Sequence, residues 1–581
     1  MCGIVGIISD NCNCDKNKKI VMAMNDAQNH RGPDDCGYYF DSYVAIGHRR
    51  LSIIDLTEMG HQPMLLDDLV MVFNGEIYNY IELKKEMQDR FGILFKTKSD
   101  TEVLLWGYKL FGKEILQKIN GMFSFAIWDK NKRVLFCARD RIGIKPFYYA
   151  TINNEFYFAS EIKSILKAIP SKPSPNYKVI KQYLVQGNYG LPNETFFENI
   201  NALEPSHYMT VCDGKVDIKR YWKITDTDKF NLGEEKKAMN QYLELMMDSI
   251  KLRLRSDVKI GLNVSGGLDS SALLGVIDRY YGKHVDFNIY TYTCNNPKYD
   301  ETQYVQKLIE GKQYNWKKCS FDEKDFYSSF LRAQSSQDEP FGGLPVLAYS
   351  EVFKRARSDG VIVLLSGNGM DEQLAGYDYY GQVMNKNVNI NDISTTQSTS
   401  SATQPSVIDR EFLSGYEPII YDSPFKDALD NLKYRDLFFT KIPRAIRFED
   451  RMSMESSTEL RTPFLDYRLV ELSFKMPIEF LIKNGEKKYI LRKIVEDFLP
   501  SKIVGGEKRP MQTPQREWLK NARNGWVGDI LNSSSFKNRH IFDYNVVKTM
   551  YNEYNNGKFD NSFFLWQWLN LEIWFRVFID I

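Results

Sequence analysis

The chain has 581 residues, 43% of them hydrophobic and 26% charged, a globular composition that is too long for a single core and therefore for a single domain. A net charge of +1 gives no electrostatic case for nucleic acid or an anionic lipid surface, and no run of about 18 apolar residues is there to span a bilayer. Eight cysteines without a leader pattern predict a cytoplasmic protein with reduced thiols, and Cys12 and Cys14 in NCNCDKNKK lack the second pair that zinc-like spacing needs.

The chain opens MCGIVGI. If the methionine is removed, the thiol and the α-amino group of Cys2 share one carbon, so a nucleophile arrives with a base that titrates near 8. Residues 1 to about 160 carry short β-type runs such as YVAIGHRRLSII, LVMVFNGEIYNY and GMFSFAIWD, which predict a layered sheet domain over 1–210. Past a linker at 211–230 the spacing turns helical, as in EEKKAMNQYLELMMDSIKLRLR, and alternates with buried strands such as VKIGLNV and GVIVLLSG. That alternation predicts a parallel sheet covered by helices over 231–581. The polar, low-complexity stretch at 385–406 reads as a mobile insertion, and the aromatic run NSFFLWQWLNLEIWFRVF as packing.

Within the second half, IGLNVSGGLDSSALLGVI runs strand, glycine turn, helix. Backbone N–H groups in such a turn attract phosphate oxygens, and small residues let them approach. No lysine stands where the GxxxxGK[ST] loop would need one. A second candidate loop, SGNGMDEQLAGYDYY, follows another buried strand.

HRGPDD, GHRRLSIIDL, FNGEIYNY and SDTE, in that order, resemble the glutaminase domain of the N-terminal-nucleophile amidotransferases. The resemblance implies an α+β fold of αββα layers with Cys2 as nucleophile. It implies that Arg50 holds the α-carboxylate of glutamine, that Asn74 and Gly75 form the oxyanion hole, and that Asp100 meets the ammonium group, with Ile54 and Glu76 as further glutamine contacts.

SGGLDSS is similar to the pyrophosphate loop of enzymes that split ATP into AMP and pyrophosphate. SGNGMDEQLAGY and IPRAIRFEDRMSMESSTELRTPFLD resemble segments of the glutamine-hydrolysing asparagine synthetases, and the likeness covers nearly the whole chain. It implies an α/β ATP-pyrophosphatase domain. Asn263, Ser265, Gly266, Gly267, Asp269, Ser270, Tyr292, Ser366 and Gly367 would contact ATP, Asp269 and Asp371 would hold Mg²⁺, and Lys488 would meet the leaving pyrophosphate.

On this resemblance ammonia from glutamine attacks an acyl adenylate, most simply turning aspartate into asparagine, and homodimers are expected. Two positions depart from the pattern: Asn368 stands where a glutamate is usual, and Met370 replaces a small residue. Because QDEPFGGLPVLAY is similar to relatives that amidate uronic-acid sugars, such a carboxylate is the alternative acceptor. Amidotransferases that make glucosamine phosphate or phosphoribosylamine lack SGGLDSS, and a non-catalytic descendant would not need Cys2, Arg50, Asp269 and Asp371 together.

Overall fold

The computed structural model describes residues 1–9, 15–282, 287–384, 389–393, 402–506 and 513–580. Its N-terminal half contains two six-stranded antiparallel sheets. The first runs in the order Asn201–Ala202, Tyr148–Ile152, Glu155–Ala159, Gly3–Ile8, Val44–Arg50, Asp35–Phe40. The second runs Lys215–Arg220, His207–Cys212, Val134–Arg139, Gly121–Asp129, Leu69–Ile77, Met64–Leu66.

The apolar run after Cys2 is explained by its place in this stack. Strand residues alternate faces, so Ile4 points into a core shared by the two sheets with Val44, Ile46, Val70, Val72 and Phe158, while Val5 and Ile7 pack on the other side with Val21 and Met24 of helix Asp15–Asp26. The outer face of the second sheet is covered by helices Tyr80–Phe91 and Asp100–Phe111 through Leu83, Met87, Val103 and Leu104. Both faces of Gly3–Ile8 are thus buried, as its lack of polar residues requires. The result is the expected αββα stack.

The C-terminal half is built on a parallel sheet ordered Asn315–Ser320, Asn288–Thr293, Ile260–Asn263, Val363–Leu365, Glu459–Arg461. Helices cover both faces: Leu262, Ile289 and Val363 pack with Tyr242, Met246 and Leu273, and Tyr290 and Leu364 pack with Leu347 and Phe353. The strand order reverses between Ile260–Asn263 and Val363–Leu365, and a crevice opens beyond the carboxyl ends of strands at such a point. SGGLDS and SGNG both begin there.

The aromatic run forms helix Phe563–Trp574, buried all round, in which the indole N–H of Trp566 donates to the Phe341 carbonyl at 2.7 Å and that of Trp574 to the Asp338 carbonyl at 2.9 Å. Packing accounts for it. Of the polar stretch at 385–406, residues 385–388 and 394–401 lie outside the described residues, as do Cys12 and Cys14. The described remainder makes contacts with the body of the chain. Ile390 and Ile393 are buried, their carbonyls accept from Arg435 at 2.7 and 2.9 Å, and the Thr403 hydroxyl donates to the Val185 carbonyl at 2.9 Å. A few apolar residues inside a polar stretch are enough to anchor it. Among the described residues no helix is long and apolar enough to cross a membrane.

Two candidate active sites

Cys2 lies at the mouth of the first sheet, just ahead of Gly3–Ile8, and is buried. Its N–H donates to Asn74 Oδ1 at 3.1 Å, and its carbonyl accepts from Arg31 Nε at 3.0 Å. Burial pushes the thiol up, while the neighbouring amino terminus, a backbone hydrogen bond from Leu51 and the charge of Arg50 pull it back. Asn74 and Gly75 sit on strand Leu69–Ile77 beside Gly121–Asp129, and a Cβ at position 75 would come within 2.1 Å of the Met122 carbonyl oxygen. Only glycine fits there.

Arg50 ends strand Val44–Arg50, and its guanidinium is held by backbone carbonyls: Thr57 at 2.9 Å, Ile54 at 3.4 Å, and Asp55. Gly60 makes room for it, since a Cβ at that position would stand 1.9 Å from Nη2. Asp100 opens helix Asp100–Phe111 and accepts the Ile77 N–H at 2.8 Å. Burial pushes its carboxyl up to about 6, with Glu459 adding to the shift. Glu76 is raised as well, by burial and then by the charges of Glu459 and Asp100. The residues inferred for glutamine therefore converge on one buried region.

What the sequence motifs left unassigned is the contribution of the second half. Glu459 and Arg461, on the edge strand of the parallel sheet, reach back to this site. Arg461 Nη2 lies 3.7 Å from Glu76, and the Met1 amino group lies 3.5 Å from Glu459. Arg31, from HRGPDD, also bonds Glu161 and Asp450 at 2.9 Å each, and Arg451 bonds Glu161 at 3.0 Å. Both Asp450 and Arg451 belong to helix Lys441–Glu455. No hydropathy pattern marks such pairs, because each joins buried charges from segments far apart in the chain.

The second site is a cavity of about 290 Å³ at the reversal point of the parallel sheet, lined by Asn263, Ser265, Gly266, Gly267, Asp269, Ser270, Ser366, Gly367, Asp371 and Lys488. These are the inferred nucleotide residues with one exception. Tyr292 does not line it: it shares a strand face with Tyr290, which is turned into the apolar cluster under helix Leu344–Ser358, and alternation along the strand sends its ring the same way. The turn needs its glycine at 266, where φ is +78° and a Cβ would meet Tyr304 Cβ at 2.7 Å. Helix Leu268–Tyr281 follows with its N-terminus open to the cavity. Tyr304, Tyr349, Lys487, Arg492 and Lys502 also line it, and no short motif would have identified them.

Lys488 Nζ lies 2.6 Å from Asp269 Oδ1 and 2.6 Å from Asp371 Oδ1. Burial alone would push this ammonium down, yet the two carboxylates hold it above the ordinary lysine range. Two carboxylates meeting on one cationic centre beside a phosphate cradle are a donor set that fits Mg²⁺. Met370 turns away from the cavity: it is fully buried, and the Tyr242 hydroxyl donates to its sulfur at 3.2 Å. Its departure from the family pattern is thus a matter of core packing. Asn368 does face the cavity, and its side-chain amide donates to Glu449.

Fold and sites together define an amidotransferase class in which an N-terminal-nucleophile glutaminase half is joined to an ATP-using synthase half. Residues 1–222 match the glutamine amidotransferase domain family, and residues 241–576 match the asparagine synthase family. Asparagine synthetase [glutamine-hydrolyzing] 1 of Bacillus subtilis (strain 168) is 31% identical over 626 aligned positions, covering 100% of this chain and 97% of that protein. Asparagine synthetase [glutamine-hydrolyzing] 3 of the same organism is 31% identical over 563 positions, covering 90% of each. The chain belongs to the asparagine synthase family and is a glutamine-dependent ligase of the asparagine synthetase type, with ATP as a substrate.

Proposed function

We propose that this chain hydrolyses glutamine at Cys2, forms an acyl adenylate of a carboxylate in the nucleotide cavity, and joins the two by passing ammonia between them, with aspartate as the acceptor and asparagine, AMP and pyrophosphate as products. The observation that carries the reading is the Arg31 bridge. One guanidinium bonds the carbonyl of Cys2 and, across the seam, Asp450 on helix Lys441–Glu455, whose neighbour Glu449 holds Asn368 of the nucleotide cavity.

The glutaminase step follows from the groups around Cys2. Removal of Met1 frees an α-amino group beside the thiol, and that amine takes the proton as sulfur attacks the side-chain carbonyl of glutamine. The Asn74 amide and the Gly75 N–H receive the developing oxyanion, Arg50 orients the α-carboxylate, and Asp100 with Glu76 receives the ammonium. Water then resolves the thioester. A cavity of about 80 Å³, lined by Ile142, Ile144 and Pro146 from the first half and Asp450 and Arg451 from the second, supports a sheltered route for the ammonia released.

In the synthase half, the glycine turn and the N-terminus of Leu268–Tyr281 receive phosphate oxygens, and Lys488 follows the charge that develops on departing pyrophosphate. Mg²⁺ held by Asp269 and Asp371 would neutralise the polyphosphate. A second acceptor reading, a uronic-acid sugar, is favoured by one observation: beyond Tyr349 a further cavity of about 420 Å³ adjoins the nucleotide site, more room than a four-carbon diacid needs.

Incubation of the purified protein with ATP, Mg²⁺, glutamine and aspartate, with asparagine and AMP measured together, tests the reading. Equal amounts of asparagine and AMP are expected. Glutamine hydrolysis without asparagine would remove aspartate as acceptor, and nucleotide-linked uronic acids are then the acceptors to assay.

A further inference from the structure

We propose that Glu449 is the proton acceptor of the amide-forming step, standing in for the glutamate absent at position 368. The inference rests on the adenylate reading above and deepens it. Its starting point is where the two cavities of the synthase half meet. Tyr349 lines both, Asn368 lines the nucleotide cavity, and Glu449, bonded to Asn368, lines the larger cavity beside it. An acyl adenylate has its AMP in the first cavity and its acyl group directed out of it, so the reacting carbon lies at this seam.

The alternatives are few. Among the described residues that line the two cavities, the carboxylates are Asp269, Asp371 and Glu449, and there is no histidine. Asp269 and Asp371 are both engaged by Lys488. Asn368 itself cannot take a proton, because an amide has no basic nitrogen. The Tyr349 hydroxyl is pushed above its ordinary range by burial and then by the charge of Glu449, which leaves it protonated at neutral pH.

Glu449 has the properties the step requires. Burial pushes its carboxyl up to about 7, and the hydrogen bond from Asn368 restrains the shift. A base near the working pH is half available and still basic enough to accept. The groups that bear on it are Asn368, from the loop after Val363–Leu365, and Tyr349, from helix Leu344–Ser358, while Arg444, five residues earlier on its own helix, lines the same cavity. In the step, the lone pair of ammonia forms a C–N bond at the acyl carbon. One N–H proton passes to a Glu449 oxygen, and the C–O bond to AMP breaks with its electron pair left on the phosphate oxygen. Asn368, by donating to Glu449, is a positioning residue.

The test separates the partial reactions. Glu449→Gln is nearly isosteric and can still accept from Asn368. It is expected to retain acceptor-dependent ATP–pyrophosphate exchange while amide formation from ammonia, at fixed free NH₃, falls about 10²- to 10³-fold, the range of a lost general base. In the unsubstituted protein the amidation rate should rise with pH through about 7, and that inflection should vanish in the variant. Asn368→Glu combined with Glu449→Gln moves the carboxylate back to the loop and should recover part of the lost rate, which a merely structural glutamate would not allow. Full amide formation in Glu449→Gln with exchange intact would overturn the proposal alone. Absence of exchange in the unsubstituted protein with every carboxylate offered would overturn the adenylate reading and this proposal with it.

Discussion

Arg31 donates from Nε to the carbonyl of Cys2 at 3.0 Å and from Nη1 to Asp450 at 2.9 Å, so one buried side chain spans the seam between the two halves. Removing it strands Glu161 and Asp450 in a dry interface, and an uncompensated buried charge typically costs ~3 kcal/mol. Arg451 and Lys145 remain close to these acids and offset part of that. Arg31→Met is therefore expected to lower the thermal midpoint and to cut glutamine-dependent synthesis more than ammonia-dependent synthesis. Equal losses in the two assays would mean that Arg31 only stabilises the fold.

Met1 bears on the glutaminase directly. It is buried in a cluster with Leu51, Ile53 and Ile54, its amino group faces Glu459, and that charge also bears on Glu76. Its peptide bond ties up the amine that would serve as base. A chain that retains Met1 should hydrolyse no glutamine yet still use ammonia. Cys2→Ala should do the same after processing, with a loss of glutamine hydrolysis on the order of 10³-fold or more. Mass spectrometry of the amino terminus, paired with both assays, checks this. Substantial hydrolysis by a Met1-retaining chain would remove the amine from the mechanism.

Lys488 sits in the left-handed region with φ 54°, a conformation that costs a non-glycine residue about 1 kcal/mol and is held only where the surroundings demand it. What holds it is the pair of contacts to Asp269 and Asp371. Gly376 shares the space: a Cβ there would stand 2.0 Å from Asp371 Oδ1 and 2.3 Å from Lys488 Cε. Lys488→Met should depress pyrophosphate exchange by about 10²-fold through lost charge stabilisation, while calorimetry with an ATP analogue still detects Mg²⁺. Asp371→Asn should weaken Mg²⁺ in the same titration, and Gly376→Ala should disturb both readouts. Unaltered Mg²⁺ affinity in Asp371→Asn would take that residue out of the metal site.

The sequence was most informative where backbone geometry and chemistry coincide. Gly266 is legible because a positive φ and a phosphate cradle both require glycine, and the layered-sheet half is legible because a run such as Gly3–Ile8 has no polar face to expose, its αββα order being what the amidotransferase resemblance implied. The Tyr292 side chain falls outside the cavity lining because a motif position says nothing about which strand face a side chain takes once neighbouring strands set the register. Arg461 and Glu459 escaped because Glu76 and Met1 lie hundreds of positions away and meet them only across the seam, and Glu449 because its partner Asn368 sits 81 positions earlier on a separate loop. Met370 and Asn368 were indistinguishable as departures in sequence; packing separates them, one in the core and one at the cavity.

Asp100 gives a prediction about pH. Its carboxyl is raised to about 6, chiefly by burial, against an unfolded value near 4. Between those values the unfolded chain has lost the proton that the folded chain keeps, so the contribution of Asp100 to stability falls as pH rises from 4 to 6 and is then fully spent, by ~3 kcal/mol on the linkage relation. Asp100→Asn keeps the acceptor for the Ile77 N–H and removes the penalty, so the free enzyme should gain stability at pH 7. Binding imposes the opposite demand. The ammonium of glutamine needs a charged carboxylate, and the KM for glutamine should rise as pH falls through about 6, an effect that Asp100→Asn abolishes while raising KM at every pH. Thermal unfolding and glutaminase kinetics over pH 5 to 8 measure both. A pH-independent KM in the unsubstituted enzyme would show that Asp100 does not meet the substrate's charge.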